Sequence, residues 1–179
     1  MNSRSRLSAS VLVRIALWIL MLPGGAVLGL WLDLRHFREA LFSPLFHLAC
    51  LPPGLALLWL VMRISRNTGR TLARYGREGD LPRLETNRLV TQGPYGCMRH
   101  PMHLGLLLFP LAWALLIGSP SFILWLAPLE ILFMLLMIRQ VEEAEAIRKF
   151  GADYLSYRRR VPMFNLSPSC LKTLLSPSA

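Results

Sequence analysis

Residues 102–138 read MHLGLLLFPLAWALLIGSPSFILWLAPLEILFMLLMI, which is two apolar runs separated by a short turn. The runs 102–117 and 122–138 have about 16 or 17 residues each, near the short end of what crosses about 30 Å of hydrocarbon. Gly118-Ser119-Pro120 between them is a turn signal. The pattern predicts a tight helical hairpin that just crosses, or nearly crosses, a lipid bilayer.

Two more apolar stretches, residues 11–31 and 44–64, precede the hairpin and are long enough to span a membrane. Pro-Gly-Gly at 23–25 interrupts the first stretch, and Pro-Pro-Gly at 52–54 predicts a kink in the second. A cleaved signal peptide is the alternative for the first stretch, although apolar character continues past Ala26. The sequence predicts an all-α polytopic membrane bundle of about four transmembrane helices.

Charge sets the expected orientation of this bundle. The chain has 179 residues, 54% of them hydrophobic and 17% charged, with a formal net charge of +10. The basic residues lie between the apolar stretches, and residues 63–99 hold many of the arginines. The positive-inside rule predicts that both termini and this loop are cytoplasmic, which means an inner membrane if the source is bacterial. No basic, aromatic-laced soluble module is present, so a nucleic-acid partner is not expected.

Helical periodicity continues beyond the hairpin. It runs from Arg139 to about Phe150, where Gly151 predicts a helix stop. A short helix through 154–158 should follow and end at Val161-Pro162. Residues 63–84, rich in arginine, suit a segment at the headgroup level, and the tail 167–179 is predicted to be disordered. The three cysteines are too few and too scattered to predict a disulfide framework.

A turn before the hairpin is the sharpest local feature, with Gly93-Pro94 at its start. Pro101 suits the first position of a helix, which leaves His100 as its cap. A helix start presents unpaired N–H groups that attract an anion such as a carboxylate, and Arg99 adds a fixed positive charge. The alternative is a helix start with ordinary interface anchors.

A charged cluster follows the hairpin. Arg139 lies three and four residues before Glu142 and Glu143, so on a helix it can pair with either glutamate. A solvated ion-pair face is the usual explanation of such a run. Its place, where the last apolar run leaves the membrane and near the expected level of Arg99 and His100, favours a site for a zwitterionic, hydroxyl-bearing ligand.

These features resemble the isoprenylcysteine carboxyl methyltransferase and phospholipid methyltransferase superfamily. The first block that carries the resemblance is LVTQGPY at 89–95, RHPM at 99–102 and LG at 104–105. The second block is EE at 142–143, FG at 150–151, Tyr154, Tyr157 and VP at 161–162. The two blocks occur in the family's order around a helical hairpin and cover residues 89–166.

The resemblance implies a membrane methyltransferase whose S-adenosylmethionine pocket is closed by a cytoplasmic C-terminal helical lid. It divides the chain into N-terminal transmembrane helices with the Arg-rich loop (1–88), a methyltransferase core (89–166) and the tail (167–179). Arg139 is implied for a substrate or cofactor carboxylate, and Tyr154 and Tyr157 for the lid. The implied cofactor-binding residues are Tyr95, Arg99, His100, Pro101, Leu104, Glu142 and Glu143.

Two positions depart from the family pattern. Cys97 and His103 stand where the family usually has aromatic residues, which leaves the methyl acceptor open. Cys97, His100 and His103 recur every third residue, so a metal or haem site is an alternative, although no fourth ligand is apparent. Glu130, in the middle of the last apolar run, is a functional candidate because a carboxyl group at that depth is costly; a structural, protonated glutamate is the alternative.

The expected function is methyl transfer from S-adenosylmethionine to a lipid-soluble acceptor that arrives from the bilayer. The acceptor classes are an isoprenylcysteine-like carboxylate, a phospholipid amine, and a small apolar thiol or quinol. An amine or thiol must lose a proton, for which His103, His100 and Glu130 are candidates. The alternative is a non-enzymatic membrane accessory protein on the same scaffold, linked to haem or a metal.

Overall fold

A computed structural model describes residues 9–79 and 86–176 of the chain. Every regular element in these residues is helical, as the sequence predicted. The α-helices are α1 (Ala9–His36), α2 (Arg38–Leu41), α3 (Pro44–Tyr75), α4 (Pro94–Cys97), α5 (Pro101–Ile117), α6 (Ala127–Met137), α7 (Glu143–Arg160) and α8 (Pro168–Leu175). Two π-helical turns, Phe122–Leu126 and Ile138–Glu142, precede α6 and α7, so the helical backbone continues from Phe122 to Arg160.

The helices have the length and composition of membrane spans. Ala16–His36, Pro44–Tyr75 and Phe122–Arg160 are long and apolar enough to cross a bilayer, and α5 is a shorter apolar helix. On α3, Leu45 and Trp59 are 77% and 62% exposed. Lipid tails can cover such side chains, whereas water would not favour a helix that is apolar on every face. The predicted helical membrane bundle is confirmed.

Two compact units make up the chain. The first contains residues 14–62 and 105–137, which are mostly apolar helix. The second contains the described parts of 1–13, 63–104 and 138–179. The second unit holds most of the charged residues, and it contains the whole of α7, which follows the apolar stretch that ends at Ile138.

The hairpin turn in the first unit is confirmed. Helix α5 ends at Ile117, and Gly118 has φ of 70°, a left-handed conformation that favours glycine. A Cβ at Gly118 would also collide with the imidazole of His47, whose Nε2 lies 2.7 Å from the Leu41 carbonyl oxygen. Glycine is therefore needed at this turn for its backbone freedom and for its lack of a side chain.

Asp33, near the end of α1, is fully buried against the hairpin turn. Its Oδ1 accepts a hydrogen bond from the Ser121 N–H at 2.7 Å, and its Oδ2 accepts one from the Ser119 hydroxyl. The first turn of a helix has N–H groups without intrahelical partners and a partial positive charge. Asp33 satisfies one of those groups from a distant helix, a role that the sequence pattern did not indicate.

We expect Asp33→Ala to lower the thermal unfolding midpoint of the detergent-purified protein. The substitution leaves buried donors at the hairpin turn without an acceptor, which costs about 1–3 kcal/mol. Asp33→Asn retains one acceptor oxygen and should have a smaller effect. Glu39→Ala, which removes an exposed acid from α2, is the control. Equal midpoints for Asp33→Ala and Glu39→Ala would contradict this role.

The tail was predicted to be disordered, and this prediction is wrong for residues 168–175, which form α8. Cys170 and Leu174 on one face of α8 are buried. The end of the helix is held by α3: Asn67 Nδ2 donates to the carbonyl oxygens of Leu174 and Ser176, both at 3.0 Å. Carbonyl groups that would be unpaired at the end of an isolated helix thus gain partners from a distant segment.

Cys97 and Cys170 form a disulfide bond, with Cα atoms 5.8 Å apart. The expectation from cysteine number and scatter was wrong because the fold brings together two residues that are 73 positions apart. The third cysteine, Cys50, is free and buried. The bond joins the segment just before Arg99 to α8.

The arginine-rich segment is also different from its prediction. Residues 63–75 continue α3 rather than forming a loop, and the connection begins at Gly76. The Asn87 N–H donates to the Gly76 carbonyl oxygen at 2.9 Å, and the Asn87 side chain bonds the backbone N–H and carbonyl of Glu78. Residues 80–84 of the predicted headgroup segment lie outside the described residues.

We expect thiol alkylation of the denatured, unreduced protein to label Cys50 alone, and all three cysteines after reduction. The topology prediction places Cys97 and Cys170 in a reducing compartment, so cells should be quenched with acid before alkylation. Reduction should lower the unfolding midpoint, because closing a long loop stabilises a fold by roughly 2–4 kcal/mol. Cys50→Ser should keep this response and Cys170→Ser should lose it; a response in both would contradict the pairing.

Candidate functional site

The turn before α5 has the geometry that the sequence predicted. Helix α4 ends at Cys97, and α5 begins at Pro101, which is buried. The His100 carbonyl accepts the Leu104 N–H at 3.1 Å, the bond expected of a residue that caps a helix. The backbone N–H groups of Arg99 and His100 donate to the carbonyl oxygens of Pro162 and Met163, at 2.9 and 3.2 Å. The turn is therefore joined to the segment that follows α7.

Glu143, at the start of α7, is the centre of a polar cluster. The residue is 4% exposed, and its Oε1 lies 3.0 Å from Arg99 Nε, 2.7 Å from His100 Nε2 and 2.9 Å from the Tyr154 hydroxyl. A buried charge is tolerated only where it is paired and hydrogen-bonded. Three donors from the turn and from the far half of α7 meet this requirement. We call Arg99, His100, Glu143 and Tyr154 the Glu143 cluster.

Arg99 also joins the cluster to the end of α7. Its Nη1 donates to the Val161 carbonyl oxygen at 2.6 Å and to the Arg158 carbonyl oxygen at 3.2 Å. These are carbonyls at a helix C-terminus, where a cation is electrostatically favoured. Arg99 is thus a link between Glu143 and the end of α7, rather than a free cation at the helix start.

The two predicted lid tyrosines are buried inside the second unit. Tyr154 donates to Glu143, and the Tyr157 hydroxyl donates to the Tyr95 carbonyl oxygen at 2.6 Å. Their rings contact each other edge to face, with centroids 5.9 Å apart. The two tyrosines join α7 to Glu143 and to the turn that contains Tyr95. A role for them in substrate binding stays a prediction.

Gly151 makes this arrangement possible. The residue has φ of 55° and ψ of −128°, which breaks α7 at the position where the sequence predicted a helix stop. Nothing lies within 4 Å of the place that a Cβ would occupy, so the requirement for glycine is conformational rather than steric. The break redirects the second half of α7, which carries Tyr154 and Tyr157.

The protonation states in the cluster follow from burial and hydrogen bonding. Burial lowers the pKa of His100 in spite of its hydrogen bond to Glu143, so the imidazole is neutral and donates through Nε2. Burial alone would raise the pKa of Glu143, but the hydrogen bonds from His100, Tyr154 and Arg99 lower it overall. Burial, followed by the bond to Glu143, raises the pKa of Tyr154 and keeps its hydroxyl protonated. The cluster is one carboxylate with one cation and two neutral donors.

The predicted pairing of Arg139 with the glutamates is wrong for the described residues. Arg139 is exposed, Glu143 pairs with Arg99 and Arg158, and His103 Nε2 lies 3.9 Å from Glu142 Oε1. The reason is the π-helical turn Ile138–Glu142, which widens the helix and shifts the register on which the four-residue spacing depended. Such turns are frequent at functional sites.

His103, Leu104 and Glu130 complete the set of predicted site residues. The His103 ring contacts that of His100 with centroids 5.3 Å apart, and Leu104 is one residue further along α5. Glu130 belongs to the other unit, where its Oε1 would lie 2.6 Å from a Cβ at Gly25. Its catalytic role stays a prediction. The Cys97 sulfur is bonded to Cys170, so the alternative metal site lacks a thiolate.

Arg158 is a member of the site that the sequence did not single out. Its Nε lies 3.3 Å from Glu143 Oε2, and its side chain is half exposed. Arg158 is the first of three consecutive arginines, and nothing in the sequence distinguishes it from the next two. The break at Gly151, which sets the direction of this half of α7, brings Arg158 to Glu143.

The second carboxylate oxygen of Glu143 lacks a hydrogen-bond donor among the described residues. Oε2 is buried and, within residues 9–79 and 86–176, accepts no hydrogen bond, although Arg158 is within ion-pair distance. Most buried polar atoms have a hydrogen-bond partner, so an exception calls for an explanation such as a bound ligand or water. The oxygen can accept a bond from a hydroxyl or ammonium group.

Comparison with known proteins gives a family match. The sequence model of phospholipid methyltransferases matches residues 50–153. A Delta(14)-sterol reductase of Mus musculus is 25% identical over 146 residues, which are 74% of this chain and 35% of the reductase. The chain thus spans about a third of the length of that relative. No solved structure matches the chain.

We expect the protein to lose stability as the pH falls below about 6.5, and His100 to be responsible for part of that loss. The pKa of His100 is lower in the folded protein, so between the two pKa values the unfolded chain binds a proton that the folded chain does not. Unfolding midpoints at about pH 7.5 and about pH 5.5 test this.

His100→Gln should reduce the pH dependence, whereas His103→Gln should retain the part that comes from His100. The lowered pKa of Glu143 acts in the same direction but below its ordinary value of 4.5, outside the tested range. An unchanged pH dependence in His100→Gln would show that the folded protein tolerates a protonated His100.

Proposed function

The chain belongs to the phospholipid methyltransferase family, and we propose that it transfers a methyl group from S-adenosylmethionine to a lipid-soluble acceptor. The family match confirms the resemblance that residues 89–166 carry. Methyltransferases of this family generally use S-adenosylmethionine. The apolar helices of this chain, which are long enough to span a membrane, favour an acceptor that reaches the protein from the bilayer.

The observation that carries the proposal is the buried Oε2 atom of Glu143, which accepts no hydrogen bond from the described residues and has Arg158 within ion-pair distance. The cofactor is a zwitterion with an ammonium group, a carboxylate and a ribose diol. Glu143 Oε2 offers a buried, ionised acceptor for an ammonium or hydroxyl group, and the half-exposed Arg158 beside it offers a cation for a carboxylate. The charges of Glu143 and Arg158 therefore fit those of the cofactor.

In this proposal Arg99 and His100 hold Glu143 ionised and oriented, and Glu143 contacts the cofactor. Tyr154 adds the third hydrogen bond to the same oxygen, Oε1, which leaves Oε2 for the ligand. The other residues that the family resemblance implies for the cofactor are Tyr95, Pro101, Leu104 and Glu142. Arg139 is an exposed candidate for a carboxylate at the edge of the site.

Bound S-adenosylmethionine would supply an activated methyl group on a sulfonium. Displacement at that methyl depends on alignment and on the exclusion of water more than on a strong acid or base. A carboxylate acceptor needs no base, whereas an amine or thiol must lose a proton. His103 is the proposed acceptor of that proton in the second unit, and Glu130 is the candidate in the first. His100 is less suited, because its Nε2 is engaged with Glu143.

Among acceptor classes, the description of the family favours a phospholipid amine. An isoprenylcysteine-like carboxylate and a small apolar thiol or quinol are the other candidates. The distribution of arginines supports a cytoplasmic position for both termini and for the cofactor site. A water-soluble cofactor would then enter from the cytoplasm.

We expect detergent-purified protein to bind S-adenosylmethionine saturably by calorimetry, and Glu143→Gln to weaken binding by roughly 10- to 100-fold. A hydrogen bond to a charged group is worth about 1.5–3 kcal/mol, which corresponds to this range. Glu145→Gln, an equal change two residues along α7, is the matched control. Unfolding midpoints for each variant separate loss of binding from loss of fold.

Arg139→Gln tests whether Arg139 is central to the site, as the sequence pattern suggested, or lies at its edge, as in the structure. We expect this substitution to weaken S-adenosylmethionine binding only slightly. Absence of binding by folded wild-type protein, in detergent and in lipid nanodiscs, would overturn the proposal. If the protein binds the cofactor, methyl-transfer assays with labelled cofactor and lipid amines, prenylated peptides or apolar thiols identify the acceptor.

A second candidate function is reduction of a sterol double bond, favoured by the identity with Delta(14)-sterol reductase over 74% of this chain. That reaction adds two hydrogens and needs a hydride donor rather than a methyl donor. Assays with a Δ14 sterol and a reduced nicotinamide cofactor discriminate between the two functions. Product formation without S-adenosylmethionine binding would favour the reductase.

A further inference from the structure

The second unit has a cleft that the methyl-transfer proposal does not use. It has a volume of about 580 Å³ and lies between residues 87–91 and the face of α7 on both sides of Gly151. Its charged lining residues are Arg88, Lys149, Asp153 and Arg160, and we call it the basic cleft. The volume is within the range of small-molecule sites, roughly 300–1,000 Å³.

The charges of the cleft are strongly unequal. Three cations face one carboxylate, and they come from two segments that are far apart in the sequence. Neutral groups with N–H or O–H donors, among them Asn87, Thr91 and Ser156, complete the lining. An excess of two positive charges with several hydrogen-bond donors in one concave site is suited to an anion.

The three cations make only weak interactions with other groups in the described residues. Arg88 Nη1 lies 3.6 Å from Glu78 Oε2, and both side chains are largely exposed, so the pair contributes little and can give way to a ligand. Arg160 uses its Nε to donate to the Ser156 carbonyl oxygen at 3.3 Å. Lys149 Nζ lies 5.8 Å from the centre of the Phe150 ring.

We propose that the basic cleft binds a phosphate monoester or diester, either on a lipid headgroup or on a soluble molecule. Two guanidinium groups can each bond two phosphate oxygens, and an ammonium adds a compact charge. Asp153 provides an acceptor for a hydroxyl or amine next to the phosphate. The site goes beyond methyl transfer, because its occupancy requires neither S-adenosylmethionine nor a reaction.

Neighbouring residues provide the means to distinguish a specific site from a basic helix face. Arg148 and Arg159 are exposed residues adjacent to Lys149 and Arg160, and neither lines the cleft. A general attraction to an anionic membrane would give each basic residue near the surface a similar contribution of about 1 kcal/mol. A specific site would depend on Lys149 and Arg160 and not on their neighbours.

The experiment compares Lys149→Gln/Arg160→Gln with the matched control Arg148→Gln/Arg159→Gln. Each double variant removes two positive charges from α7, and each control residue is the direct sequence neighbour of a cleft residue. The full-length protein in neutral detergent is titrated with short-chain phosphatidic acid, with glycerol phosphate and with inorganic phosphate, at two salt concentrations. Unfolding midpoints confirm that each variant is folded.

We expect saturable binding of at least one phosphate probe, weakened at least roughly tenfold in the cleft pair and by less than about twofold in the control pair. Binding of phosphatidic acid alone would assign the cleft to a lipid headgroup, and binding of all three probes would assign it to the phosphate group itself. Equal weakening in the two pairs, or no saturable binding by the wild type, would overturn the proposal.

Discussion

Burial of the Glu143 carboxylate is the constraint on which the second unit depends. A buried charge needs partners, and Arg99, His100 and Tyr154 supply them from both sides of the site. These contacts fix the turn before α5 against both halves of α7. Loss of any one donor would leave a buried charge less well compensated, a change that is usually more harmful than the removal of both partners. Pairing of the carboxylate therefore stabilises the packing of the turn against α7.

The first unit also contains buried polar groups that need hydrogen-bond partners, but it has fewer charged residues. In a membrane, polar backbone groups without partners are costly, and the hairpin turn exposes several of them. Asp33 and Ser119 satisfy groups there, while Gly25 and Gly29 allow α1 to approach Glu130 and Phe122 closely. Small residues at helix contacts are a common means of packing helices in lipid.

The Glu143 cluster and the basic cleft use opposite charges in neighbouring parts of α7. One contains a buried carboxylate oxygen that accepts no hydrogen bond from the described residues, and the other contains an open group of cations. Tyr157 adjoins both regions, since it lines the cleft and its ring contacts that of Tyr154 in the Glu143 cluster. The break at Gly151 is what gives a single helix two differently oriented halves.

The sequence alone determined the features that depend on local chemistry. Apolar length determined the membrane helices, Pro101 the start of α5 and Gly151 the break in α7, because each acts on the backbone nearby. The family motifs also identified Arg99, His100 and Glu143 as one group. Only the tertiary structure decided their partners. Arg99 and Glu143 are 44 residues apart, Cys97 and Cys170 are 73 apart, and α8 is held by Asn67 of a distant helix. Local spacing even favoured the wrong partner, Arg139, because a π-helical turn shifts the register there. Contacts between distant segments depend on the packing of whole helices, which periodicity within one segment does not encode.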